Sequence, residues 1–180
     1  MSKIGKKSII LSTAKVEIKD NHVIISGPKA KFEHELSDGL EVVLDGNILS
    51  ILLKQDTRIN RINWGMNRAL LANKVKGVET GFEQKMKIVG LGYKAQLSGK
   101  KITFALGYSH KIDFTLPKDV DLEVDKSGQN LTFKSVDKAL LGEVCAKVRG
   151  FRPPEPYKGT GIMKVDEVII RKAGKTKAAQ

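Results

Sequence analysis

One cysteine, three histidines, one tryptophan and three tyrosines are all that this chain of 180 residues holds of those types. Each shortage excludes something. Cys145 alone makes no internal disulfide, and its neighbours in the local pattern are apolar, so it reads as a buried structural thiol. His22, His34 and His110 stand apart in or beside polar turns, with no i, i+4 pair and no Cys-x-x-Cys companion, which leaves metal binding without support. Long apolar runs are missing too: residues 48–53 form the longest stretch, interrupted by Ser50, against the roughly twenty residues that span a bilayer. The first residues carry Lys without an apolar core segment or a small-residue cleavage site, and a cytosolic protein is expected, with no membrane partner.

Catalytic motifs are also scarce. Neither a Gly-x-Ser-x-Gly nor a Gly-rich Lys-Ser/Thr loop occurs. Glu33 with Glu35, and Asp119, Asp121, Glu123 and Asp125, alternate along strand-like segments and so share solvated faces rather than forming acid/base pairs. Gly90, Gly92 and Ala95 match the G-x-G-x-x-G/A dinucleotide pattern after a possible strand. A pyrophosphate site, however, needs a helix opening at those glycines. Residues 93–106 alternate polar and apolar and turn at Gly99, as a hairpin does, so the glycines read as a bulge or the start of a second domain. No catalysis, cofactor or small-molecule substrate is expected.

Acidic residues are the remaining deficit, 20 against 32 Lys and Arg, for a net charge of +12 and a pI of about 9.7. That balance favours a polyanionic partner. The excess is concentrated at the ends. Lys3, Lys6 and Lys7 precede any acid, and from Arg149 onward eight bases (Arg149, Arg152, Lys158, Lys164, Arg171, Lys172, Lys175, Lys177) face Glu155, Asp166 and Glu167. Within that region residues 153–162 read Pro-Pro-Glu-Pro-Tyr-Lys-Gly-Thr-Gly-Ile. Pro153, Pro154 and Pro156 hold the chain extended, Gly159 and Gly161 let the main chain approach a partner closely, and Tyr157 can stack or hydrogen-bond. The segment reads as an ordered nucleic-acid contact loop; a Pro/Gly-rich exit loop with incidental charge is the plainer alternative.

The middle of the chain repeats itself. Gly27, Phe32, Leu36, Leu40, Val42 and Leu44 recur 80 positions later as Gly107, Ile112, Leu116, Val120, Leu122 and Val124. Gly46, Leu49 and Ile51 recur 82 positions later as Gly128, Leu131 and Phe133, and Lys74, Val75, Lys76 and Gly77 return as Lys147, Val148, Arg149 and Gly150. Each copy reads as short strands, with hairpins at Asp20-Asn21 and Ser98-Gly99, followed by one helix. Trp64, Leu71, Val75 and Val78 supply the apolar face of the first helix, and Leu140, Leu141, Val144 and Val148 that of the second. Asp137 suits an N-cap, and Gly77 and Gly150 are expected as helix stops. The predicted architecture is α+β: two tandem duplicated domains, residues 1–82 and 83–152, each a small, mostly antiparallel sheet packed on one helix, then a basic Pro/Gly loop and extended tail over 153–180.

The motifs, in order, resemble those of the bacterial large-subunit ribosomal protein six family over nearly the whole chain. Ser2-Lys3-Ile4-Gly5-Lys6-Lys7 is similar to that family's opening, Gly27-Pro28-Lys29 to its first-domain turn, and Gly90-Leu91-Gly92-Tyr93 with Leu106-Gly107-Tyr108-Ser109-His110 to its second-domain hairpin. Residues 154–162 are similar to its signature, which usually has Lys where this chain has Thr160. The resemblance implies a duplicated α+β protein of the large ribosomal subunit, a scaffold that binds large-subunit ribosomal RNA near the sarcin-ricin region, beside neighbouring ribosomal proteins and the docking place of translation GTPases. It also implies that Arg149, Arg152, Tyr157, Lys158, Gly159, Gly161, Lys164, Arg171, Lys172, Lys175 and Lys177 form the RNA-binding set. A general polyanion binder outside the ribosome is the alternative.

Overall fold

A computed structural model describes residues 2–174. Lys175 and Lys177 of the expected set lie outside the described residues. The described chain divides into two units, one running to Phe82 and including Val136–Lys138, the other made of Glu83–Ser135 and the residues from Ala139 on.

In the first unit, strands β1 (Ile9–Ile10), β2 (Lys15–Lys19), β3 (His22–Ser26), β4 (Lys31–Glu35), β5 (Leu40–Asp45) and β6 (Ile48–Leu53) precede helix α1 (Arg58–Glu79). They divide between two antiparallel three-stranded sheets, β2-β3-β4 and β1-β6-β5. Asp20 and Asn21 make the two-residue turn between β2 and β3, with Asp20 at φ 49°. Alternation decides which side chains go inside. Val23 and Ile25 of β3, Leu40 and Val42 of β5, and Leu49 and Ile51 of β6 are buried. From α1 they are met by Trp64, Leu71, Val75 and Val78. The Thr57 hydroxyl caps α1 by accepting the Asn60 N–H at 3.2 Å.

That helix does not stop at Gly77. Gly77 lies inside it and is bare because a side chain there would meet the Val136 carbonyl. The stop comes at Thr80 and Gly81, whose N–H groups both donate to the Lys76 carbonyl, with Gly81 at φ 80°.

His34 corrects a second expectation, since it is a buried histidine in mid-strand rather than a turn residue. Its Nε2 lies 2.9 Å from Asn67 Oδ1, and Lys74 Nζ lies 3.3 Å from its Nδ1. Lys74 can only donate, so Nδ1 accepts and Nε2–H donates, which is the neutral tautomer. Burial is the main force pulling the His34 pKa below its ordinary 6.5; the Asn67 hydrogen bond opposes it and the Lys74 charge adds to it. The unfolded chain therefore takes up the proton first, and stability falls as pH drops below 6.5 toward the folded value. Urea midpoints followed by the fluorescence of Trp64, buried in the same unit, are expected to fall between pH 7.5 and pH 5.5. Equal midpoints would show that His34 is not linked to folding.

In the second unit, strands β7 (Phe82–Val89), β8 (Lys94–Ser98), β9 (Lys101–Ala105), β10 (Ile112–Thr115), β11 (Val120–Val124) and β12 (Asn130–Ser135) precede helix α2 (Lys138–Phe151), and β13 (Gly161–Lys164) is the last strand among the described residues. The sheets are β10-β9-β8 and β11-β12-β7-β13. The duplication is structural. Leu36 and Leu116, Leu40 and Val120, Val42 and Leu122, Leu49 and Leu131, and Ile51 and Phe133 are all buried in their own units. Leu141, Val144, Cys145 and Val148 are the buried face of α2, and burial pushes the Cys145 thiol up to about 11, an inert structural thiol.

Gly150 is not a left-handed stop; it lies within α2 and is absent from the positive-φ residues. Pro153 and Pro154 end the helix instead, since proline constrains its predecessor and offers no N–H. The glycines at 90 and 92 lead into β8, not into a helix, which removes the dinucleotide reading.

Candidate nucleic-acid interface

Strand β13 comes from the segment read as loop and tail. Residues 161–164 pair antiparallel with β7, Gly161 opposite Val89 and Lys164 opposite Met86, and bury Ile162 and Met163. The sequence hid this strand behind its glycines and prolines. Residues 153–160 are thereby tied at both ends, by α2 before them and a sheet strand after them.

Hydrogen bonds close the loop further. The Ile162 N–H donates to the Arg152 carbonyl at 2.7 Å, and the Glu155 N–H to the Thr160 carbonyl at 3.1 Å. The Thr160 hydroxyl donates to the Glu155 carboxylate at 2.6 Å. Thr160 therefore does internal bracing where a Lys would offer charge. The Lys172 N–H reaches the Pro156 carbonyl at 2.8 Å and draws the following segment alongside. Tyr157 projects from this frame, 56% exposed, next to the exposed Lys158. Gly159 is buried under the Arg171 guanidinium, where a Cβ would lie 3.2 Å from Nη2, so its role is to let Arg171 cross the loop.

The charged residues are not equivalent. Lys158, Lys164, Arg171 and Lys172 are exposed. Arg149 is already committed: its Nη2 and Nε lie 2.6 and 3.1 Å from the two oxygens of Glu167. The bonded carboxylate holds Arg149 above its ordinary value, and the bonded guanidinium holds Glu167 below the usual carboxylate range. Such a two-point pair fixes both side chains. Arg149 is thus held by an acid of its own unit, unlike the exposed lysines. Glu167 also accepts the Lys164 N–H at 3.3 Å, and Arg149, Lys164, Asp166 and Glu167 line one open groove.

Arg152 has a different setting, with its guanidinium carbon 5.3 Å from the ring centre of Tyr93 and 4.7 Å from that of Tyr108. Cation–π attraction on two sides orients it. Tyr93 and Tyr108 are not in the expected RNA-binding set; their places after the paired-glycine and Leu-Gly turns are the sequence signal that marks them. Among the described residues no group of three or more His, Cys, Asp or Glu could hold a metal ion, and no helix is long and apolar enough to cross a membrane.

The family model described as Ribosomal protein L6 matches residues 12–81 and 89–165, one match in each half of the chain. The large ribosomal subunit protein uL6 of Syntrophomonas wolfei is 45% identical over 176 residues, covering 97% of this chain and 98% of that protein. Its counterpart in Chloroherpeton thalassium is 44% identical over 176 residues, with 97% and 98% covered. That of Desulfatibacillum aliphaticivorans is 42% identical over 179 residues, with 99% and 100% covered.

Proposed function

The chain belongs to the ribosomal protein L6 family, and from that premise we propose that it holds large-subunit ribosomal RNA near the sarcin-ricin region, close to where translation GTPases dock, through the basic surface of its second unit. As a member of that family it is a structural constituent of the large ribosomal subunit in the cytoplasm, not an enzyme. The observation that supports the RNA reading is the braced loop at 153–160, which presents Tyr157 and Lys158 outward with Lys164, Arg171 and Lys172 exposed on the same unit. A rigid frame bearing free cations suits a rigid polyanion, because little side-chain and loop entropy is lost on binding. Recognition is of backbone and shape, since an RNA double helix hides its base edges in a deep, narrow groove. Arg149 acts indirectly, by fixing Glu167 beside Lys164.

The test is binding of the full chain to purified large-subunit ribosomal RNA across a salt series. Replacing Lys158, Lys164 and Arg171 together with Ala is expected to weaken binding and lower the log–log salt slope by roughly two to three, at about 0.7–0.9 per lost phosphate contact. An unchanged slope would move the anion site elsewhere. Equal affinity for a plain RNA duplex of the same length would favour a general polyanion binder.

A further inference from the structure

Tyr93, Arg152, Tyr108 and His110 form a ladder on the second unit, and only Arg152 has so far been given a part at RNA. Beyond the Arg152 guanidinium between the two tyrosines, the Tyr108 and His110 rings lie 6.0 Å apart, centre to centre, and within 20° of parallel. The inner end is fixed: the Tyr108 hydroxyl donates to the Phe151 carbonyl at 3.1 Å, and Arg152 covers the ring. The outer end is open, with Tyr108 45% exposed and His110 exposed. Internal packing accounts for the inner part of Tyr108, under Arg152 and bonded to Phe151, but not for His110, whose ring stays exposed while it lies alongside Tyr108.

Lysines follow both ends of the ladder in the chain, Lys94 after Tyr93 and Lys111 after His110. Lys111 lines a small cavity with Lys94, Gln96 and Thr103. Asp113, the nearby acid, is engaged by Lys101 at 2.8 Å and by the Thr103 hydroxyl at 2.7 Å. Among the described residues Lys94 and Lys111 make no salt bridge of their own.

We propose that Tyr108 and His110 are a stacking platform for one unpaired nucleobase of the bound RNA, with Lys94 and Lys111 on its flanking phosphates. This rests on the RNA-binding reading above. A paired base has its faces covered by its neighbours, so the platform selects a base turned out of a helix. Its shape is one-sided, which suits a base held in place by its own chain better than a free nucleotide. The aromatic surface accepts any base, whereas the lysines read only the backbone.

The salt series with large-subunit ribosomal RNA separates the possibilities. His110→Ala and Tyr108→Ala are each expected to bind on the order of tenfold more weakly with the salt slope unchanged, because stacking releases no counterions. Tyr108→Phe keeps the ring but loses the hydroxyl that fixes it to the Phe151 carbonyl, so its affinity should fall between those of the wild type and Tyr108→Ala, again with the slope unchanged. Lys111→Ala should instead lower the slope by about 0.7–0.9. His110→Ala alters only an exposed ring, so wild-type affinity in that variant overturns the platform even if Tyr108→Ala binds poorly. A lowered slope in His110→Ala would mark a phosphate contact and also overturn it. Failure of the wild type to bind this RNA sinks the RNA reading itself, and the platform with it.

Discussion

Gly161→Val is expected to detach β13 and lower the stability of the protein by about 3 kcal/mol or more, from backbone strain together with lost apolar burial. Gly161 has φ 142°, and a Cβ there would lie 2.7 Å from the Pro153 carbonyl oxygen and 2.8 Å from that of Arg152. Both obstacles are main chain. The Arg152 carbonyl cannot swing aside without losing the Ile162 N–H it accepts at 2.7 Å. Relief requires the strand to leave, which exposes Ile162 and Met163, now 0% and 4% exposed. Loss of the strand also frees one end of the 153–160 loop, so affinity for ribosomal RNA should fall along with the urea midpoint. Gly99→Ala is the control: φ there is +62° with nothing within 4 Å of an added Cβ, and only the left-handed backbone cost of about 1–2 kcal/mol applies. Equal midpoints for the two variants would show that β13 is not anchored by this close approach.

Phe104→Ala should cost about 3–5 kcal/mol, the range for emptying a buried aromatic site. Phe104 is fully buried. Its ring centre lies 5.6 Å from that of Phe151 at a tilt of 56°, and Phe151 in turn meets Phe114 edge-on at 5.7 Å. Arrangements of this kind add to area burial through the ring quadrupoles. The consequence extends to the interface. Phe151 supplies the carbonyl that orients Tyr108 and is followed directly by Arg152, so a void beneath Phe151 loosens the cation–aromatic ladder above it. Denaturation followed by circular dichroism measures the first effect and RNA affinity the second. Phe104→Leu, which removes less volume, should cost visibly less on both. A midpoint within 1 kcal/mol of the wild type in Phe104→Ala would mean that the site collapses around the loss.

Much of this protein was legible in its residues. The 80-residue echo placed Leu36, Leu40 and Val42 opposite Leu116, Val120 and Leu122, and all six are buried. The helix faces of Trp64, Leu71, Val75 and Val78, and of Val144 and Val148, were readable because helical spacing puts them on one side. The scarcity of cysteine, histidine and catalytic motifs was equally direct. Where reading failed, the reasons are specific. Gly77 and Gly150 resemble helix stops, yet the stops come from Thr80 with Gly81 and from Pro153 with Pro154. His34 stands among charged residues in the sequence, but strand alternation turns it inward onto Asn67.

The sequence by itself determined the duplication, the two helices, the hairpins and the basic C-terminal excess, because each is a short-range pattern of side-chain period, turn chemistry or charge. Tertiary structure alone decided that residues 161–164 become a strand, that Arg149 is matched by Glu167, that Thr160 braces Glu155, and that Arg152 lies between Tyr93 and Tyr108. Those outcomes depend on which distant segments meet. A basic side chain looks the same in sequence whether it ends at a carboxylate, between two rings or in solvent, and only the folded backbone brings one of those partners within a few ångströms.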